Sequence, residues 1–148
     1  IISMAFIFSL ILSTNVFAES NVPEIKGEGM VLMDGTTGEV LAEKNANEKL
    51  APASTTKTMT ALLTVEKANL NDVVTIGKNP PLAEGTRVGL QEGDKYTVEE
   101  LLNALLIQSA NDAAVALAEH ISGSEEKFAK LMNERAEELG AKNTHFVK

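Results

Sequence analysis

The sequence predicts an α+β fold, in which short strands come first and a block of helices follows. Two apolar-rich runs, at residues 30–34 and 39–43, flank the segment GTTG, whose glycines allow the tight connection of a β-hairpin. Three later segments, at residues 98–108, 113–121 and 125–139, are rich in apolar side chains over helical lengths. We therefore expect an N-terminal antiparallel pair of strands and a helical C-terminal part.

Local sequence signals place further elements between these parts. A helix is expected at residues 55–68, beginning just after Ser54. Thr97 and Glu100 are spaced as a capping box, which opens a helix that is apolar nearly all round and is predicted to be buried. Gly140 is placed to end the last helix in the left-handed conformation. The other short elements are a strand in DVVTIG, a loop in NPPLAEG, and extended pieces in TRVGL and DKYT.

Composition narrows the classes of function. The 148 residues are 44% hydrophobic, which suits one folded domain. The net charge of −8 and the absence of a basic cluster argue against nucleic acid and anionic membrane surfaces as partners. The chain has no cysteine, so disulfides, thiolate metal sites and thiol nucleophiles are excluded. With only two histidines, no metal site is expected.

The first 18 residues have the character of a secretory signal peptide. Residues 4–12 are uniformly apolar but too short to span a bilayer, and the compact Val16 and Ala18 follow at the spacing of a cleavage site. A buried core helix is the alternative. Because residue 1 is not methionine and no basic segment precedes the apolar run, we expect the signal to be clipped at its N-terminus. The mature chain would then begin at Glu19.

Two serine–lysine pairs, each with three-residue spacing, occur at predicted helix starts. Ser54 and Lys57 have no carboxylate nearby in sequence, and both the helix N-terminus and the apolar neighbours disfavour a charged ammonium. A neutral lysine there can accept the serine proton and create a nucleophile. Ser124 and Lys127, in contrast, enclose two glutamates that favour a charged lysine. We expect Ser124 to be a helix N-cap.

The segment QSAND interrupts two apolar helices with polar residues. Ser109 and Asn111 both lie in this break, where a buried polar group without a hydrogen-bond partner costs about 1–3 kcal/mol. One of the two side chains could cap the following helix, but a cap would not explain both. A Ser-x-x-Lys at a helix start together with a Ser-x-Asn at a helix break points to serine-nucleophile chemistry.

This combination resembles the penicillin-recognising serine enzymes, which share Ser-x-x-Lys, Ser-x-Asn and Lys-Thr-Gly elements. The wider likeness is to the D-alanyl-D-alanine carboxypeptidases, the low-molecular-weight penicillin-binding proteins. It covers nearly all of residues 24–147 and is carried by three segments: PASTTKTMTALL, RVGLQEGDKYTVEELLNALLIQSANDAAVALAEHI and MNERAEELGAKNTHFV. The resemblance implies a β-lactamase/transpeptidase-like fold, with an antiparallel sheet and a helical subdomain.

The resemblance also implies roles for four residues. Ser54 is similar to the nucleophile, Lys57 to its general base, Ser109 to a proton relay, and Asn111 to the amide that binds the substrate's peptide carbonyl. The implied reaction removes the terminal D-Ala from peptidoglycan stem pentapeptides through an acyl-enzyme on Ser54. β-Lactams would acylate the same serine, and no cofactor or metal is implied.

One family element has no counterpart in this sequence. The Lys-Thr-Gly strand, which in the family lies beyond the stretch resembling THFV, is absent. Residues 19–148 are therefore expected to be the N-terminal part of a longer catalytic domain, without its C-terminal strands and inactive alone. The resemblance implies an exported protein, attached to the membrane only through a possible C-terminal anchor. A serine β-lactamase and a non-catalytic peptidoglycan-peptide-binding relative are the alternatives.

Other polar residues are not assigned to the site. His120 and His145 are expected to be structural, because serine–lysine chemistry needs no histidine. Arg87 is expected on the surface or in a loop. Asp112, directly after the Ser-x-Asn motif, is interpreted equally well as an ordinary acid in the first turn of a helix.

Overall fold

The structure is a computed structural model that describes residues 24–148. The signal peptide predicted at residues 1–18 lies outside the described residues. Two compact units make up the chain, the first ending at Leu50 and the second beginning at Ala51. Across residues 24–148, no helix combines the length and the apolar character needed to cross a membrane.

The first unit contains the predicted hairpin. Strand β1 (Met30–Met33) pairs antiparallel with β2 (Val40–Lys44), and the register shifts after Leu32. The turn is held by Asp34, whose Oδ1 accepts hydrogen bonds from the backbone N–H groups of Thr36, at 2.9 Å, and Thr37, at 2.7 Å. These bonds, the one from the Thr37 amide first, lower the pKa of the Asp34 carboxyl. The predicted hairpin is confirmed, and the Asp34 side chain stabilises its turn.

The second unit is mainly helical and adds one small antiparallel sheet, formed by β3 and β4. The α+β prediction is therefore confirmed. The elements in chain order are a 3-10 turn at Ala53–Thr56, α1 (Lys57–Lys67), β3 (Val73–Thr75), a 3-10 turn at Pro80–Leu82, β4 (Lys95–Thr97), α2 (Val98–Ile107), α3 (Asn111–Ser122) and α4 (Glu125–Glu138).

Helix α3 is central to the core of this unit. It contributes buried residues to both hydrophobic clusters, and it packs against α1, α2 and α4. Leu117, fully buried, lies in the cluster shared with α2 and β3, whereas Ala118 lies in the cluster shared with Leu63 of α1 and Phe128 of α4. Because α1 and α3 are fixed in one core, the residues at their N-termini are held in a defined relation.

An ion pair also joins α4 to α1. Arg135 donates to both carboxylate oxygens of Glu66, at 2.7 and 3.1 Å, in the bidentate geometry that guanidinium groups favour. These bonds to Glu66 raise the pKa of Arg135. The contact adds a second, polar link to the apolar packing that holds α1.

The sequence signals for helix ends are confirmed. The predicted burial of α2 and the predicted extended structure of TRVGL are wrong. The capping box of Thr97 and Glu100 is present, and Gly140 has the expected positive φ of 82°. Helix α2 is not buried all round, since Leu106 and Ile107 at its end are 57% and 74% exposed. The segment TRVGL is irregular rather than extended: it forms no strand, and three of its backbone N–H groups donate to one carboxylate side chain.

Candidate active site

Ser54 is held in a 3-10 turn that runs directly into α1. The turn spans Ala53–Thr56, and α1 begins at Lys57, so the predicted helix start is displaced by two residues. Ala53, immediately before the serine, has a φ of +46°. A left-handed conformation costs a residue with a side chain about 1–2 kcal/mol. The strained turn presents the exposed Ser54 hydroxyl at the N-terminal end of α1.

Lys57 and Ser109 converge on Ser54. Lys57 Nζ lies 3.5 Å from Ser54 Oγ, and Ser109 Oγ donates a hydrogen bond of 3.0 Å to the same oxygen. Ser109 follows the end of α2 and also has a positive φ, 55°. The structure thus brings together a hydroxyl, an amine and a second hydroxyl, in a site where Lys57 and Ser109 are half-buried. This arrangement can move the Ser54 proton when the hydroxyl attacks.

Asn111 occupies the first position of α3. The N-cap residue is Ala110, which makes no side-chain cap bond, so neither Ser109 nor Asn111 caps the helix. Instead, Asn111 Nδ2 donates a 2.6 Å hydrogen bond to the Glu84 carbonyl. Its backbone N–H donates to the Thr86 carbonyl at 2.7 Å. Within residues 24–148, no hydrogen bond joins Asn111 to the other three candidate residues.

Asp112 is a polar residue whose structural role the sequence did not reveal. It is fully buried, and its two carboxylate oxygens accept four backbone N–H bonds, three of them from residues 88–90. Its position in the first turn after the Ser-x-Asn motif was the only signal available. The interpretation of Asp112 as an ordinary early-helix acid is incomplete, because its partners lie in a distant loop.

A cleft of about 500 Å³ is lined by Asn79, Glu84, Asn111, Val115 and other residues, but not by the Ser54 cluster. Across residues 24–148, no group of three or more His, Asp or Glu side chains is arranged to hold a metal ion.

Comparison with known proteins identifies the family. The family model described as D-alanyl-D-alanine carboxypeptidase matches residues 15–148. The chain belongs to the D-alanyl-D-alanine carboxypeptidase family. The match contains all four candidate residues of the site.

Individual relatives agree with this membership. D-alanyl-D-alanine carboxypeptidase DacF of Bacillus subtilis is 47% identical over 82% of this chain and 32% of its own length. DacC of Escherichia coli is 43% identical over 96% of this chain and 38% of its own. The chain therefore spans about a third of the length of these curated relatives.

Solved structures of the family have the same fold. A crystal structure of D-alanyl-D-alanine carboxypeptidase from Mycobacterium tuberculosis is 35% identical and aligns with a TM-score of 0.79, over 87% of this chain and 49% of that one. This agreement confirms the β-lactamase/transpeptidase-like fold that the sequence motifs implied.

The second serine–lysine pair of this family member is structural. Ser124 is the N-cap of α4, and its side chain accepts a hydrogen bond from the Lys127 backbone N–H at 3.3 Å. The lysine side chain is exposed. The predicted cap is therefore confirmed. His120, His145 and Arg87 are all exposed, and Arg87 binds a loop carbonyl.

Proposed function

We propose that the protein is a serine-type D-Ala-D-Ala carboxypeptidase in which Ser54 is the nucleophile and Lys57 its general base. The observation that carries the proposal is the convergence of Lys57 Nζ and Ser109 Oγ on Ser54 Oγ, at 3.5 and 3.0 Å, in a member of this family. The names of the relatives, all D-alanyl-D-alanine carboxypeptidases, support the choice of substrate.

Acylation would use a proton-transfer path that runs from Ser54 to Lys57 and then through Ser109 to the leaving group. Lys57 takes the hydroxyl proton as general base while Ser54 Oγ attacks the carbonyl carbon between the last two D-Ala residues of a stem pentapeptide. The C–N bond of the tetrahedral adduct then breaks, and the leaving amine receives a proton from Lys57 through Ser109 Oγ. D-Ala departs, and the remaining peptide stays on Ser54 as an ester.

Water completes the cycle. It attacks the ester carbonyl, gives up a proton to the same Lys57, and the Ser54–acyl bond breaks with return of a proton to Ser54 Oγ. The released product is the stem peptide shortened by one D-Ala. Asn111 is the candidate to bind the peptide carbonyl, since a primary amide that donates once to Glu84 keeps a second N–H. β-Lactams, whose strained amide mimics D-Ala-D-Ala, would acylate Ser54 in the same way.

The surrounding organisation is part of the proposal. Residues 1–18 would be a secretory signal peptide, and residues 19–148 the N-terminal part of the catalytic domain. The protein would act on peptidoglycan at the extracytoplasmic face of the cytoplasmic membrane or in the cell wall.

The activity is tested by following D-Ala release from a synthetic peptide ending in D-Ala-D-Ala. The protein expressed from its full gene should release D-Ala, and Ser54→Ala should abolish release while Ser124→Ala leaves it unchanged. No release by folded wild-type protein would contradict the proposal. Faster turnover of a β-lactam than of the peptide would instead identify a β-lactamase.

A further inference from the structure

The loop at residues 84–90 is fixed by the two residues that follow Ala110, and each residue holds a different part of it. Asp112 holds the later part: Oδ1 accepts from the Val88 N–H at 3.2 Å, and Oδ2 accepts from the N–H groups of Gly89, at 2.8 Å, and Leu90, at 3.1 Å. A carboxylate that accepts several backbone N–H bonds in a buried place is a strong anchor.

Asn111 is joined to the earlier part of the same loop. The Glu84 carbonyl accepts from its side-chain Nδ2 at 2.6 Å, and the Thr86 carbonyl accepts from its backbone N–H at 2.7 Å. The direction in which the Asn111 carboxamide points is therefore set by where the loop places the Glu84 carbonyl. The later part of that loop is bound by Asp112.

Gly85 lies between those two carbonyl groups and has no room for a side chain. Its φ is +79°, and a Cβ added there would lie 2.9 Å from Asn111 Nδ2. Such a contact would force the carboxamide to move. Gly93, in the next turn, offers a matched comparison, because it has a φ of +89° and an added Cβ would meet nothing within 4 Å.

We propose that Asp112 is a positioning residue for the reaction, acting through the loop at residues 84–90 to orient the Asn111 carboxamide. Gly85 contributes to the same positioning, because the absence of a side chain lets the loop approach that carboxamide. The inference rests on the proposed function for its effect on rate, but the orientation of Asn111 can be measured without activity.

The first experiment is a double-mutant cycle in the protein expressed from its full gene, read as the rate of Ser54 acylation by benzylpenicillin. Asp112→Asn keeps the shape but has one acceptor oxygen, so two of the four N–H bonds are lost. We expect acylation to slow by about 100-fold, the size of effect that misplacement of a binding group produces. In an Asn111→Ala background, Asp112→Asn should change the rate by less than about twofold.

Two control substitutions separate an effect on the position of Asn111 from a general loss of structure. Asp94→Asn alters a carboxylate that accepts one bond, from the Gln91 N–H at 3.0 Å, which an asparagine carbonyl can still accept. It should leave the acylation rate unchanged. If Asp112→Asn does not fold, Gly85→Ala takes its place, with Gly93→Ala as the control for backbone strain. Gly85→Ala should slow acylation, and Gly93→Ala should not.

The outcomes are distinct. The inference would be overturned if Asp112→Asn slowed acylation by the same factor in the wild-type and Asn111→Ala backgrounds. It would also be overturned if a folded Asp112→Asn protein were acylated at the wild-type rate. If the wild-type protein is not acylated, the proposed function fails. The NMR signal of the Asn111 side-chain amide, assigned by its loss in Asn111→Ala, then decides. A shift in Asp112→Asn and Gly85→Ala but not in the controls supports the inference, and an unchanged signal overturns it.

Discussion

Ser109 Oγ lies 3.0 Å from Ser54 Oγ, although 55 positions separate the two serines in the chain. Both hydroxyl groups are presented by backbone in the left-handed region, at Ser109 itself and at Ala53 just before Ser54. Their meeting is made possible by the packing of α1 and α3 in one core. Strained conformations of this kind persist only where the surrounding structure holds them, and they concentrate at functional sites.

Replacing the lysine by alanine should affect the acylation rate in one serine–lysine pair and not in the other. Lys57→Ala should lower the rate of Ser54 acylation by about 10²–10⁴-fold, the usual contribution of a general base. Lys127→Ala should leave the rate unchanged, because Lys127 donates to Ser124 from its backbone N–H and its exposed side chain makes no hydrogen bond to Ser124 within the described residues. The measurement is stopped-flow acylation by a fluorescent β-lactam. A folded Lys57→Ala protein that reacts at the wild-type rate would show that Lys57 is not the base.

The Ser124 hydroxyl is predicted to affect stability alone. Ser124→Ala removes the side-chain acceptor for the Lys127 N–H, and loss of an N-cap costs about 1 kcal/mol. The free energy of unfolding in urea should fall by that amount, while acylation of Ser54 stays the same. Ser124→Asp, which can still cap the helix, should restore most of the loss. Equal stability of the alanine and wild-type proteins would refute the capping role.

The hairpin turn of the first unit gives a pH prediction. The Thr37 and Thr36 N–H groups lower the pKa of Asp34, so its carboxyl should titrate below the usual value of about 3.9. Because the folded pKa is the lower one, the contribution of Asp34 to the turn is present above the unfolded pKa. That contribution is lost as pH falls through the folded pKa.

The titration can be followed by NMR through the Thr37 amide proton, which binds the Asp34 carboxylate at 2.7 Å. Its chemical shift should change with the depressed pKa in the wild-type protein. In Asp34→Asn the same signal should not titrate in this range. An Asp34 pKa at or above the usual value would contradict the hydrogen bonding of the turn.

The elements that the sequence predicts correctly depend on neighbours within a few positions. The capping box of Thr97 and Glu100, the Ser124 cap and the hairpin all join residues no more than a few positions apart or across one turn. The convergence of Ser54 and Ser109 was expected only from family resemblance. No spacing rule relates residues from different helices.

The features that were not predicted depend on partners far away in the chain. Asp112 binds loop residues 22 to 24 positions earlier, so its local position in a helix could not reveal them. Leu106 and Ile107 continue the apolar pattern of α2, but periodicity does not tell which end of a helix its neighbours cover. Tertiary packing decided both cases.

The most direct test of the account is the mass of the protein after reaction with benzylpenicillin. Trypsin should release residues 50–57, LAPASTTK, as one peptide in which Ser54 is the only serine. With the protein expressed from its full gene, we predict that this peptide gains the mass of one penicillin molecule. The gain should be absent in Ser54→Ala and retained in Ser124→Ala. Unmodified wild-type peptide from folded protein under saturating drug, or a label on another residue, would contradict the assignment of Ser54 as the nucleophile.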